Sequence, residues 1–161
     1  MKTFIPSEKF HLTKNVMKMI NEIKEEYIKK YGENLVSIVL FGSYANKVST
    51  ICSDIDLLII LENLKTTRYK IYLNFFSILE NLSTYKKLRE KKIYLNFSPI
   101  IKTTSELKIS LPYLWETNFK IFYDKNGFFK NFIKKLKEFK RKKIRKIEGI
   151  MPYYEWVKNG E

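Results

Sequence analysis

Cysteine and histidine are nearly absent: Cys52 and His11 are the only ones in 161 residues. A lone cysteine makes no internal disulfide, and one Cys with one His at no usual ligand spacing builds no structural zinc site. Cys52 reads as a small residue packed near a loop, and His11 as a surface or helix-edge side chain. Glycine occurs five times and proline four. No Gly, Ser or Pro linker and no internal repeat divides the chain, so residues 1–161 are expected to form a single domain. The longest apolar runs, around 38–41 and 57–61, fall far short of the roughly 18 residues a membrane helix needs. The opening Met-Lys-Thr-Phe-Ile-Pro lacks the apolar region of a signal peptide, which points to the cytoplasm.

Acidic residues are also scarce, 17 against 31 Lys and Arg, for a net charge of +14. Ten of the basic residues fall between Lys130 and Lys146, where Glu138 is the single acid, so that segment carries +9 and the rest of the chain +5. Such a segment suits an anionic partner such as an RNA backbone, or else forms a solvated helix face. With 45% hydrophobic and 30% charged residues the composition is that of a folded domain.

Periodicity supplies the elements. Thr13 is placed to cap a helix whose Val16, Ile20, Ile23, Tyr27 and Tyr31 repeat at three- and four-residue spacing, with Gly32 as its stop. Residues 35–41 and 55–61 read as short buried strands. Residues 66–91 are apolar at helical period, with a break expected at Ser83-Thr84. Residues 92–101 read as a third strand ending at Ser98-Pro99. Thr103-Thr104-Ser105-Glu106 has capping-box spacing and should open a helix toward Trp115, interrupted or kinked near Pro112. Residues 119–123 read as a fourth strand, and Asp124-Lys125-Asn126-Gly127 as a turn. A basic C-terminal helix is expected over about 128–147, burying Phe128, Phe132, Leu136 and Phe139, before an aromatic tail at 150–161. The fold class is therefore α/β or α+β: a small mixed sheet flanked by helices.

One stretch carries chemistry. In "LFGSYANKVSTICSDIDLLII", Gly42-Ser43 is followed after ten residues by Asp54-Ile55-Asp56, so two of the chain's three aspartates stand together at the start of a strand. Glycine at a strand end lets backbone approach a phosphate, and the next residue offers a hydroxyl and an amide near a helix start, where exposed N–H groups favour anions. Asp54 and Asp56, two apart on extended chain, point to one face and suit one hard divalent cation that also takes phosphate oxygens. Lys47 is near enough in sequence to approach a triphosphate, and Tyr44 to approach a nucleotide or acceptor.

The stretch resembles the signature of the nucleotidyltransferase superfamily that includes DNA polymerase β, and within it the minimal nucleotidyltransferases of prokaryotes. The match covers about residues 35–61, and the tail "IFYDKNGFFKNFIKKLKE" is similar to the end of many small members. The resemblance implies a polymerase β-like palm fold, Mg²⁺ at Asp54 and Asp56, a nucleoside triphosphate (ATP above all) held by Gly42 and Ser43, and transfer of an NMP to an acceptor hydroxyl with loss of pyrophosphate. It also implies a HEPN-type protein partner, as in toxin-antitoxin pairs. Active members add a third carboxylate on the next strand, and "KKIYLNFSPII" has none. Asn96 is its nearest polar match, Ser98 is the other, Glu106 lies beyond, and a partner is a further source. A second expectation is therefore a binding module with little turnover, taking nucleotide, a protein partner or RNA.

Overall fold

A computed structural model describes residues 6–50, 52–115, 118–149 and 153–156. Helix α1 (Pro6–Tyr31) leads through a 3-10 turn into strand β1 (Leu35–Phe41) and the one-turn helix α2 (Gly42–Ala45). Strand β2 (Ile55–Leu61), helices α3 (Arg68–Asn81) and α4 (Ser83–Glu90) and strand β3 (Phe97–Thr103) follow. Strand β4 (Lys120–Asp124), helix α5 (Phe128–Lys143) and the ribbon β5 (Ile144–Ile147) and β6 (Tyr153–Trp156) complete the order. The main sheet runs β3-β2-β1-β4. β1 is antiparallel to both neighbours, and β2 is parallel to β3.

Both central strands are apolar apart from Ser37 and Asp56, because both faces of the sheet are covered. On one face Ile38, Leu40, Leu57 and Ile59 pack with Val16, Ile20, Ile23 and Tyr27 of α1 and Phe75 of α3. On the other, Val39, Phe41, Leu58 and Ile60 pack with Trp115 and with Phe129, Phe132 and Leu136 of α5. Strand alternation thus sorts each residue to a helical layer.

Several boundaries differ from the sequence reading. Thr13 lies inside α1, which begins at Pro6, because the same apolar period extends past it through the buried Leu12. The stop is as expected: Gly32 takes φ +48, a conformation that suits glycine after a helix. The break in the 66–91 segment falls at Leu82, whose ψ of 134 is extended. β3 starts at Phe97, five residues later than expected, and runs through Pro99, which pairs with Leu57. As an edge strand, β3 tolerates a residue with no N–H.

No helix opens at Thr103. Glu106 does accept from the Thr103 N–H at 2.9 Å, but the chain turns and forms only a 3-10 turn at Pro112–Leu114. The capping contact is local, and β-branched Ile109 followed by Pro112 does not carry a helix onward. Helix α5 ends at Lys143, four residues short of the expected 147, because Ile144–Ile147 pairs with Tyr153–Trp156. Phe129 replaces Phe128 among its fully buried residues, and Phe139 is half-buried. In the expected aromatic tail, Tyr154 meets the Trp115 ring edge-on at 5.7 Å, while residues 150–152 and 157–161 lie outside the described residues. Cys52 is exposed rather than packed, and the His11 side chain lies outside the described residues. No described helix is long and apolar enough to cross a membrane.

Asp124 fastens α5 to the sheet. Its carboxylate accepts from the Phe129 N–H at 2.8 Å, the Lys130 N–H at 3.1 Å and the hydroxyl of Ser37, fully buried in β1, at 3.0 Å. These bonds satisfy helix-start donors and one interior hydroxyl at once. Asp124→Ala is expected to lower the unfolding free energy by about 2–3 kcal/mol. Urea denaturation measures it, and a change below about 0.5 kcal/mol would mean that the cap contributes little.

Candidate functional site

The Gly42-Ser43 corner is made by a reversal that only glycine takes without strain. β1 ends in Phe41, still extended at φ −136, and Gly42 then adopts φ +68 to start α2. A methyl group at position 42 would overlap Asp56 Oδ2 and lie 3.0 Å from Asp56 Cγ. Glycine is thus needed here twice, for its backbone angle and for the carboxylate against it. The pairing of Phe41 with Asp56 in the β1–β2 ladder brings the two together.

Beyond the corner the chain is braced. The Asn46 N–H donates to Gly42 O and the Val48 N–H to Ser43 O, both at 3.0 Å. The Asn46 side chain accepts from the Asn118 N–H at 2.7 Å, tying the corner to the segment before β4. Thr50 N–H donates to Ser53 Oγ at 2.8 Å, and Ser53 N–H returns to Thr50 O at 3.2 Å, closing the turn that delivers Asp54. Tyr44 is buried in the core, and burial pushes its phenol pKa up. Its ring therefore anchors α2, and the expectation that Tyr44 reaches a nucleotide or acceptor is corrected.

Asp56 alternates with Leu58 and Ile60, so it stands on the sheet face that α5 covers farther along. Phe41 and Tyr113, with ring centroids 6.0 Å apart, lie at this end of the same face. Asp56 is half-buried and Asp54 exposed. Burial first, and the Asp54 carboxylate second, hold the Asp56 carboxyl above the ordinary aspartate range. Two neighbouring carboxylates, one half-buried and one facing solvent, are a donor set that fits a hard cation sharing its remaining positions with phosphate oxygens. Among the described residues no group of three His, Cys, Asp or Glu is placed to hold a metal.

The parallel ladder decides between the substitutes for a third carboxylate. Ser98 is the register partner of Asp56, while the Asn96 carbonyl accepts from the Ile55 N–H at 2.8 Å. Ser98, rather than Asn96, is thus the side chain beside Asp56, and it has no charge. Glu106 is excluded by distance and by engagement. It lies beyond Thr103, the far end of β3, which is itself five residues and about 16 Å along the strand from Ser98. Its carboxylate takes Arg68 at 2.7 and 2.8 Å in addition to the Thr103 N–H. The Thr103 amide first and Arg68 second hold its pKa below the usual range. Lys47 is exposed at φ +61, and no described salt bridge joins it to either aspartate. The bond between Asn46 and Asn118 had no sequence signal, since its ends are 72 residues apart.

These surroundings predict opposite signs for one substitution. A raised folded-state pKa means that ionised Asp56 costs stability once pH rises through that pKa, while a cation needs it ionised. Asp54→Asn is expected to raise stability at pH 7 by a few tenths of a kcal/mol, since half-exposed charges are screened. It should also weaken Mg²⁺ binding by at least about tenfold. In the unsubstituted protein, Mg²⁺ affinity should fall as pH drops through the raised Asp56 pKa. Calorimetric titration with a parallel thermal melt reads both. Equal Mg²⁺ affinity in the two proteins would remove the pair as a cation site.

Comparison with known proteins covers most of the chain. Residues 20–151 match the family described as the nucleotidyltransferase domain. Over 127 residues the chain is 34% identical to a Methanocaldococcus jannaschii protein that carries the name of a protein adenylyltransferase, covering 74% of this chain and 82% of that one. Among solved structures, a toxin-antitoxin crystal structure with AMP-PNP is similar at a TM-score of 0.44 and 13% identity, covering 75% of this chain and 90% of that chain.

Proposed function

Because the chain belongs to the nucleotidyltransferase domain family, we propose that it transfers an NMP, AMP above all, from a magnesium-bound nucleoside triphosphate to a hydroxyl on a protein partner. The observation that supports this reading is the packing of Asp56 against Gly42: a carboxylate of the kind that binds hard cations stands beside a strand-end glycine of the kind that admits phosphate.

In the proposed reaction the acceptor oxygen forms a bond to the α-phosphorus. The bond from that phosphorus to the oxygen bridging the β-phosphate breaks, pyrophosphate leaves, and the hydroxyl proton passes to water. Asp54 and Asp56 would hold the magnesium, whose contribution is to neutralise triphosphate charge. Gly42 turns the chain at the corner and leaves room for the Asp56 carboxylate, and Ser43 would offer its hydroxyl and amide to the phosphates. Lys47, on the exposed turn after α2, adds positive potential near the corner. The acceptor reading draws on the relative's name and on the resemblance to prokaryotic antitoxin-type members, for which the partner would be a HEPN-type protein.

The test is incubation with ATP labelled at the α-phosphate and each candidate acceptor, with the mass of the acceptor read afterwards. A gain of one NMP supports transfer. The uncharged Ser98 beside Asp56 favours a second reading, in which the fold binds nucleotide and a partner with little turnover. Tight nucleotide binding with no label on any acceptor would select it. In that reading the basic segment from Lys130 to Lys146 contacts the partner, with RNA as the anionic alternative.

A further inference from the structure

Large apolar side chains scattered singly over a surface need no explanation, but three on one helix face do. Tyr69, Leu73 and Phe76 of α3 are 70%, 52% and 42% exposed. Their spacing of four and three residues puts them in one stripe. Ile71, Phe75 and Leu79 hold the opposite side of the helix in the core. The helix that carries the stripe is fastened to its neighbours. Phe76 stands edge-on to Phe75 at 5.3 Å, and Asn74 bonds to Lys30 and to the Tyr31 hydroxyl of α1.

Charge on the same helix indicates what covers it. Lys70 and Glu80 are both exposed, and no salt bridge among the described residues engages either. They lie ten residues, about 15 Å, apart on either side of the Leu73–Phe76 centre. Two such helices laid antiparallel place each Lys70 opposite Glu80 of the partner subunit, and each Leu73 against Phe76 of the partner subunit. Laid parallel, they would set Lys70 against its own copy and Glu80 against its own. The pattern is self-complementary in one direction only, as a two-fold contact requires.

We propose that the outer face of α3, through Tyr69, Leu73 and Phe76 with Lys70 and Glu80 at its ends, joins two copies of this chain antiparallel. The face belongs to the layer packed on the sheet side opposite Asp56, so association leaves the candidate site open. Three side chains on two turns cover less than the ~800 Å² per partner of a standard interface. The dimer is therefore reversible, with dissociation on the order of micromolar. The net charge of +14 opposes association, and salt near 0.15 M, with a screening length of about 8 Å, weakens that repulsion.

Sedimentation equilibrium on the nuclease-treated full chain, at about 5 to 300 µM, tests the proposal. The expected mass rises from 19.4 kDa toward twice that value. Leu73→Asp should raise the dissociation constant at least 30-fold with an unchanged circular dichroism spectrum and melting temperature. Lys70→Glu and Glu80→Lys should each weaken association about threefold to tenfold, and the two together should restore it to within about threefold. A monomer throughout the range would overturn the proposal, as would a Leu73→Asp protein that still dimerises. A double charge swap weaker than either single change would overturn the antiparallel pairing.

Discussion

Asp56→Ala is expected to lower NMP transfer by roughly 10³-fold or more while leaving the fold intact. Transfer of this kind asks the protein mainly for positioning and charge neutralisation, so losing the more buried of the two carboxylates proposed to hold the cation should remove most of what it supplies. Stability should move the other way. Burial and Asp54 make the ionised Asp56 unfavourable in the folded state at neutral pH, so its removal relieves a cost. The expected pair of results is a lost label and a melting temperature equal to or above that of the unsubstituted protein. A variant that retains more than about a tenth of the transfer rate would show that the chemistry lies elsewhere. One that melts well below the parent would show a structural role for this carboxylate instead.

Gly42→Ala is expected to act through two separable strains. The left-handed angle of +68 costs a non-glycine residue about 1 kcal/mol. The new methyl also overlaps Asp56 Oδ2, and the carboxylate must turn away. Together they should lower stability by about 2–3 kcal/mol and weaken magnesium-nucleotide binding at least tenfold. A double-mutant cycle separates the two. With Asp56→Gly in the background the overlap is gone, so Gly42→Ala should then cost only about 1 kcal/mol. An identical cost in both backgrounds would mean that the carboxylate and the corner are not in contact. Unfolding in urea gives all four values.

Legibility differed sharply between elements. β1 and β2 have the bounds that their β-branched apolar runs predict, because strands buried on both faces leave little else for those residues to do. The break near Ser83 was visible as helix-breaking Ser-Thr, and the stop of α1 as a glycine. The failures share a cause. Residues 92–96 are apolar enough for a strand, yet pairing with β2 begins only at Phe97, where a partner is in register. The capping-box spacing at Thr103 formed its local contact without a helix, since nothing beyond it supplied a continuous apolar face. The basic helix expected over about 128–147 looked continuous, and its last four residues, 144–147, left the helix to pair with a strand later in the chain.

The candidate site divides in the same way. Gly42, Ser43, Asp54 and Asp56 stand out in the sequence as candidates because short spacing and the side of a strand that each residue faces are local properties of the chain. That Ser98 and not Asn96 stands beside Asp56, that Glu106 is committed to Arg68 beyond the far end of β3, and that Asn118 braces the corner were decided only by tertiary structure. Periodicity determines which residues can be buried and which turns can form. Register and long-range hydrogen bonds depend on how separate elements fit against one another, and residues far apart in sequence meet only after the sheet and its two helical layers have assembled.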